Sequence, residues 1–232
     1  MQGQGTAPPR REESLSGIAM PQPDAGILAR LPQIVAALRD VLPEDAVIWD
    51  PEETRAYECD ALTAYRCPPL AVVLPRTTEE VAAAMRICHE MRVPVVPRGA
   101  GTSLAGGALP TADSVIIATL RLREVLEIDT QNRFIRVQTG VTNLSVSAEL
   151  EPHGFFYAPD PSSQLACTIA GNIAMNSGGA HCLKYGVTTN NLMGATVVLP
   201  TGEVVELGGP EMGPTGLDLM GLLCGSEGQL GI

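Results

Sequence analysis

The apolar positions of this chain fall into short runs punctuated by prolines and capping residues. Ile34, Leu38 and Val41 recur at helical spacing, with Pro32 near the start and Pro43 after the end, so the pattern predicts a helix between the two prolines. Residues 71–74 are a continuous apolar run closed by Pro75, the pattern of a buried strand. Thr77 with Glu80 three residues on is a capping box, and Val81, Met85 and Cys88 mark the buried face of the helix it starts. Residues 93–96 form the next apolar, β-branched strand. Strand, helix and strand in that order predict parallel strands, because a helical crossover returns the chain in its first direction.

Beyond residue 108 the pattern changes. Residues 115–118, 125–128 and 134–137 read as strands at short spacing, which predicts antiparallel structure, with a polar turn from Asp129 to Asn132. Residues 143–150 read as a helix before Pro152 and Gly154. Residues 196–199 and 203–207 flank Pro200-Thr201-Gly202, a hairpin with turn chemistry at its tip. Residues 44–69 carry no clear period, and residues 1–25, rich in Gln, Gly, Pro and Ser, read as a flexible leader. The expected class is α+β, built from two α/β subdomains. The small one, about residues 26–108, carries parallel strands, and the larger, about residues 109–232, is mostly antiparallel.

The second strand of the crossover runs into Pro97-Arg98-Gly99-Ala100-Gly101-Thr102-Ser103-Leu104-Ala105-Gly106-Gly107-Ala108. Glycine loses the most conformational freedom on folding, so this density belongs where backbone must approach something closely or φ must be positive. Successive bare N–H groups form a concave nest for an anion. Thr102 and Ser103 add hydroxyl donors, and Arg98 adds a fixed positive charge. The loop alone leaves two readings open, a phosphate cradle and an ordinary glycine-rich turn. Two familiar cradles are excluded by spacing. Gly101 and Gly106 have the Walker gap, but Gly107 and Ala108 stand where Lys and Ser/Thr belong. Gly99 and Gly101 begin a G-x-G-x-x-G fingerprint whose third position is Leu104. The end of a parallel strand is nonetheless where open α/β sheets bind ligands.

Composition narrows the partners. Hydrophobic residues make up 45% of the 232, enough for a sizeable core. A net charge of -11 repels a nucleic-acid backbone, and 3% aromatic residues argue against a base-stacking platform, so no nucleic-acid partner is expected. No stretch approaches the ~20 apolar residues of a membrane span, and Arg10-Arg11 with no apolar run behind them are not a secretory signal. Cys59, Cys67, Cys88, Cys167, Cys182 and Cys224 form no C-x-x-C pair, and the three histidines have no ligand spacing, so no metal site is expected. Several of the cysteines read as small buried hydrophobes, and the compartment reads as reduced and cytoplasmic.

Two further glycine-rich stretches follow. Pro159, Asp160, Pro161 and Ser162 stiffen the approach to residues 168–179, where Thr168 caps a helix and Gly178-Gly179 end it. Gly171 inside that helix costs about 1 kcal/mol against alanine, which makes sense if something packs on the backbone there. Tight helix–sheet packing with no ligand is the other reading. His181 beside Cys182 invites a nucleophile, but neighbours on a regular element point apart, so His181 reads as a polar contact at a pocket rim. His89 and His153 read as surface or helix-end residues, and no carboxylates form a persuasive acid–base pair. Residues 225–232 are glycine-dense again after an apolar, helix-like run over 217–224. The sequence stops inside that stretch, which reads as the front part of a longer protein.

These stretches in this order, with Tyr57-Glu58-Cys59-Asp60, Tyr157-Ala158 and residues 181–186, resemble the flavin-binding domain of the vanillyl-alcohol oxidase / p-cresol methylhydroxylase family. The branch they are most similar to is that of the bacterial glycolate oxidase flavin subunit (the D chain). The resemblance covers about residues 30–232 and implies FAD lying between the two subdomains. Arg98, Gly99, Ala100, Gly101, Thr102 and Ser103 would hold the pyrophosphate through backbone amides, with Gly106 and Gly107 continuing the close approach. Pro159, Asp160, Pro161, Ser162, Thr168, Gly171, Asn172, Asn176 and Gly179 would line the rest of the cofactor. Gly225, Glu227, Gly231 and Ile232 would close on the adenine side. Some family members attach flavin through a histidine in the pyrophosphate loop. Thr102 stands there, so the resemblance implies non-covalent FAD.

The resemblance also implies oxidation of a small-molecule 2-hydroxy acid, glycolate-like, to the 2-oxo acid by hydride transfer to flavin. The catalytic residues are expected in a C-terminal substrate domain absent from this chain, which alone would bind FAD with little or no turnover. A second flavin subunit and an iron–sulfur subunit are implied as partners, with electrons leaving near the inner membrane. No cysteine cluster here could itself hold an iron–sulfur centre. The alternative is a non-catalytic nucleotide- or anion-binding module, or a truncated remnant.

Overall fold

The computed structural model describes residues 20–210 and 216–232. The chain opens with α1 (Ala25–Ala29) and α2 (Leu31–Val41). Asp24 caps α1 by accepting from the Gly26 and Ile27 N–H groups, and its own N–H donates to Asp113 at 2.8 Å. The end of the expected leader is thus tied to the fold, while residues 1–19 lie outside the described residues. In α2, Ile34 and Leu38 are fully buried, but Val41 is 43% exposed. The helix stops at Val41, and Leu42, in extended conformation, turns into the core in its place.

Residues 44–69, which carry no period, hold only the short β1 (Val47–Ile48), α3 (Pro51–Thr54) and two 3-10 turns. β2 (Ala71–Val73) then leads to α4 (Thr78–Met91), whose buried face carries Val81, Met85 and Cys88 as the spacing predicts. The capping box forms by half. The Thr77 side chain accepts from the Glu80 N–H at 3.2 Å, but the Glu80 carboxylate accepts from Arg76 N, at 2.7 Å, in place of Thr77 N. Thr77→Ala is expected to lower stability by about 1 kcal/mol, read from a urea melt. Burial pushes the Cys88 thiol up to about 12, as suits a small core hydrophobe.

β3 (Val95–Arg98) begins two residues later than the sequence pattern suggests and carries the strand into the glycine loop. β4 (Val115–Ala118) overturns one expectation. It is no part of the antiparallel region but the central strand of the first sheet, whose order is β1-β2-β4-β3. β2 and β3 both run parallel to β4, and β1 closes one edge antiparallel. All four residues of β4 are fully buried, because a strand covered on both faces must be apolar throughout. Val73, Val115 and Ile117 face α2 and α4, while Val72, Ile116 and Ala118 face the opposite side beside Tyr57.

The second half is antiparallel, as expected. β5 (Val125–Asp129) and β6 (Phe134–Val137) form a hairpin whose turn is closed by Asp129 accepting from the Gln131 and Asn132 N–H groups. α5 (Asn143–Leu150) packs Val146 and Leu150 under it. α6 (Ile169–Met175) is capped by Thr168 but ends on Asn176, in the left-handed region at φ 47°, ahead of Gly178-Gly179. The helix stops there because Asn176 tolerates that conformation and satisfies the last carbonyls. α7 (Cys182–Tyr185) precedes the hairpin of β7 (Gly194–Val198) and β8 (Val204–Gly208), and α8 (Leu219–Leu223) follows. Gly202 at the hairpin tip has φ +81°, and a Cβ there would lie 2.8 Å from the Ala82 carbonyl, so the tip docks on α4. That contact ties the antiparallel half to the parallel sheet.

Candidate cofactor site

The glycine loop leaves the C-terminal end of β3 beside the matching end of β4, where Arg98 pairs with Ala118. Gly101 and Gly106 take φ values of +70° and +80°, so the loop needs glycine at both positions. Among the described residues, the N–H groups of Gly101, Thr102, Ser103, Gly106 and Gly107 donate to no protein atom. Half-buried donors without partners suit an anionic ligand. Ser103 Oγ accepts from Ala105 N at 3.1 Å and sits 3.7 Å from the Met175 sulfur of α6.

The other two glycine stretches converge on this loop. Gly99 lies against Thr168 Oγ1, and a Cβ on it would be 3.8 Å from the Gly171 N–H. The loop is thus stacked on the first turn of α6 at Gly99, while a Cβ on Gly171 would meet only the cap, Thr168 Oγ1 at 3.4 Å, so no loop atom fills the space beside Gly171. Gly225 N donates to the Ile173 carbonyl and Glu227 N to the Ala174 carbonyl, each at 2.8 Å. The Glu227 carboxylate reaches within 3.3 Å of where a Gly107 side chain would begin, and Gly228 packs on Pro97. Glu227 itself stands in the left-handed region at φ 55°.

Asp160 joins the two arms of the second stretch. Its carboxylate takes the His181 Nδ1 at 2.7 Å and accepts the His181 N–H at 3.2 Å, and Gly179 packs directly on its carbonyl. His181 is thus held by Asp160 and forms no dyad with Cys182, whose sulfur accepts from Gly179 N. Pro159 and Pro161 are buried while Ser162 is exposed, so the rigid pair presents the serine outward.

Some expected contacts serve the protein interior. The Asn172 side chain is buried between Asn143 Nδ2 at 2.8 Å and the Cys167 sulfur. Asn176 Oδ1 accepts from Thr189 N at 3.0 Å. Ile232 exchanges both backbone hydrogen bonds with Val198, continuing the ladder of β7, and Gly231 is pressed against the same residue. Arg98 does not extend its charge from the loop. Its guanidinium donates to the Ala108 carbonyl at 3.1 Å and lies over the Tyr57 ring. The sequence offered no role for Asp60, Ala61 and Leu62, yet this turn packs on the loop, with Ala61 N donating to the Gly101 carbonyl at 3.0 Å.

A sizeable cleft lies elsewhere. It has a volume of about 740 Å³, opens between the two hairpins and is lined by apolar side chains such as Ile128, Val137, Val146 and Ile173. Of the sequence-predicted contacts only Ile232 lines it, so the converging glycine stretches define the candidate site. No group of His, Cys, Asp and Glu among the described residues could hold a metal ion.

Residues 69–208 match the family described as "FAD binding domain". The chain belongs to this FAD-binding family. It is 48% identical to the glycolate oxidase subunit GlcD of Escherichia coli K12 over 221 residues, 95% of this chain and 43% of that subunit. A D-lactate dehydrogenase of Anaerostipes hadrus is 36% identical over 87% of the chain and 42% of its own length. Among solved structures, an alkyldihydroxyacetonephosphate synthase superposes with a TM-score of 0.76 at 25% identity, over 93% of this chain and 44% of its own. 4-Ethylphenol oxidase from Gulosibacter chungangensis, at 22% identity and TM-score 0.75, shares the fold. The chain spans under half the length of each of these relatives. The family's FAD fits the residues present. The unpartnered N–H groups of the loop suit its pyrophosphate, and positive-φ glycines let that group approach the backbone.

Proposed function

We propose that this chain is the FAD-binding part of a flavin-dependent oxidoreductase that oxidises a small 2-hydroxy acid, glycolate-like, to the 2-oxo acid. The observation that carries the reading is the convergence of three glycine stretches, through Gly99 on Thr168 and Gly107 beside Glu227, around a loop of free N–H groups. Similarity to a glycolate oxidase subunit and a D-lactate dehydrogenase supports the substrate class. FAD, when bound, supplies the acceptor for the hydride. Gly101, Thr102, Ser103, Gly106 and Gly107 present N–H groups to the pyrophosphate. Ser162 and the Asp160-anchored arm line the approach, and Glu227 offers a carboxylate to hydroxyl groups beside Gly107.

FAD is held without a covalent bond, because threonine at position 102 offers no ring nitrogen to the flavin. The reading assigns carboxylate recognition and the general base to the part of its relatives' length that this chain does not span. Because β4 belongs to the parallel sheet, the reading puts the boundary between the two subdomains after it. Similarity to a glycolate oxidase subunit supports partner subunits, and the reading takes a second flavin subunit and an iron–sulfur subunit as those partners. None of the helices among the described residues is long and apolar enough to cross a membrane. The reading carries a cytoplasmic location with peripheral attachment through those partners.

The test is the visible spectrum of the purified protein loaded with FAD and desalted. A retained flavin spectrum that passes into the supernatant on acid precipitation is expected. A folded protein that retains no flavin overturns the cofactor reading, and colour left in the acid pellet overturns the non-covalent one.

A further inference from the structure

The turn from Tyr57 to Leu62 touches the glycine loop at three points, yet none of its residues belongs to the cofactor contacts above. The Ala61 N–H donates to the Gly101 carbonyl. Leu62 Cδ2 lies 3.3 Å from where a side chain on Gly106 would begin. The Tyr57 ring centroid lies 5.7 Å from the Arg98 guanidinium. Asp60 is the centre of this turn and is only 5% exposed. Its Oδ1 accepts the Leu62 N–H at 2.9 Å, while its Oδ2 is buried and, among the described residues, meets no hydrogen-bond donor.

A carboxylate in that position is strongly unfavourable unless a cation compensates it. No ion pair within 4.0 Å reaches Asp60 among the described residues, and the cation whose guanidinium lies over the Tyr57 ring of the same turn is Arg98. It sits inside the loop, bonded to the Ala108 carbonyl, with its guanidinium carbon 2.7 Å from the place a Gly101 Cβ would take. So Arg98 spans the loop from Gly101 to Ala108, and the Asp60 turn holds the same loop from beneath.

We propose that Asp60 is a positioning residue of the glycine loop. Its carboxylate keeps Arg98 folded inside, and Arg98 in turn holds residues 101–108 in the shape that presents their free N–H groups. The bound pyrophosphate is then recognised by N–H groups and hydroxyls, and Arg98 acts on it through the shape of the loop. The negative charge of Asp60 also opposes the downward pull of burial on the Arg98 pKa. The ligand in this proposal rests on the FAD reading above, whereas the Asp60–Arg98 pair does not.

The experiment compares the wild type, Asp60→Asn, Arg98→Met and the double variant. Asn at position 60 keeps an oxygen for the Leu62 N–H, so a folded protein is expected. The first readout is the melting temperature without flavin. Each single variant is expected to melt several degrees lower, and Asp60→Asn to cost nothing further once Arg98 is gone, since breaking a buried pair harms most when one charge remains. Additive losses overturn the pair. The second readout is FAD affinity, by quenching of flavin fluorescence, across a salt series. Each single variant is expected to bind at least about 10-fold more weakly, with the salt dependence of Arg98→Met equal to that of the wild type. A shallower salt dependence in Arg98→Met means that its charge acts on the phosphate directly, and overturns the proposal. Failure of the wild type to bind FAD removes the cofactor reading, while the melting cycle still decides the pair.

Discussion

Gly179→Ala is expected to abolish flavin retention. No side chain fits at this position, since a Cβ would overlap the carbonyl and carboxylate of Asp160. The overlapped atoms are chiefly backbone, so no rotamer change relieves the contact and the two arms must separate. That movement breaks more than a local fit. Asp160 also takes both the ring and the N–H of His181, so all three contacts are strained together. Overpacking of this kind costs about 1–3 kcal/mol in stability. The loss in FAD affinity is expected to exceed about 100-fold, or about 2.7 kcal/mol, because the displaced arm carries Ser162 and the approach to the cofactor. Isothermal titration with FAD and a urea melt read the two quantities separately. Affinity within a factor of three of the wild type would show that the Asp160 arm does not touch the cofactor.

What sequence alone can and cannot reveal follows from how local each feature is. Thr77 and Thr168 cap helices in the structure because a cap depends on three or four consecutive residues. The Val81, Met85 and Cys88 stripe, the hairpin around Gly202 and the helix over Asn143–Leu150 are local in the same sense. β4 is not. Its four apolar residues are compatible with any buried strand, and only pairing with β2 and β3, far apart in sequence, makes it the centre of a parallel sheet. Its assignment to the antiparallel region follows from reading that strand by its short spacing alone. Arg98 is instructive in another way. The sequence locates its charge in an anion loop, but the direction of a long side chain is set by its surroundings, here Ala108, Tyr57 and Gly101. Asp60 lies in a stretch without hydrophobic period, so nothing local marks it as buried. Convergence of the three glycine stretches is likewise a tertiary fact, and its only trace in the sequence is their order along the chain, which carries the family resemblance.

Gly101→Val is expected to leave the fold standing and remove FAD binding. Gly101 has φ +70°, where a β-branched residue is a genuine outlier and even an ordinary side chain costs about 1–2 kcal/mol. The added Cβ would also meet the Arg98 guanidinium. That neighbour is the far end of a flexible side chain and can give way, which is why the fold survives. Its departure from Ala108 leaves the loop unbraced, however, and the valine methyl groups stand beside the free N–H groups of Thr102 and Ser103. Strain and obstruction therefore act on the same few atoms. A far-ultraviolet circular dichroism spectrum like the wild type's, a melting temperature lower by a few degrees and no flavin retained after desalting are the expected results. Gly101→Ala, which carries the φ strain and the Cβ contact but lacks the extra methyl groups, is expected to fall between the two. Retention of FAD by the valine variant at wild-type affinity would mean that the cofactor does not approach Gly101. The free N–H groups of the loop would then need another ligand.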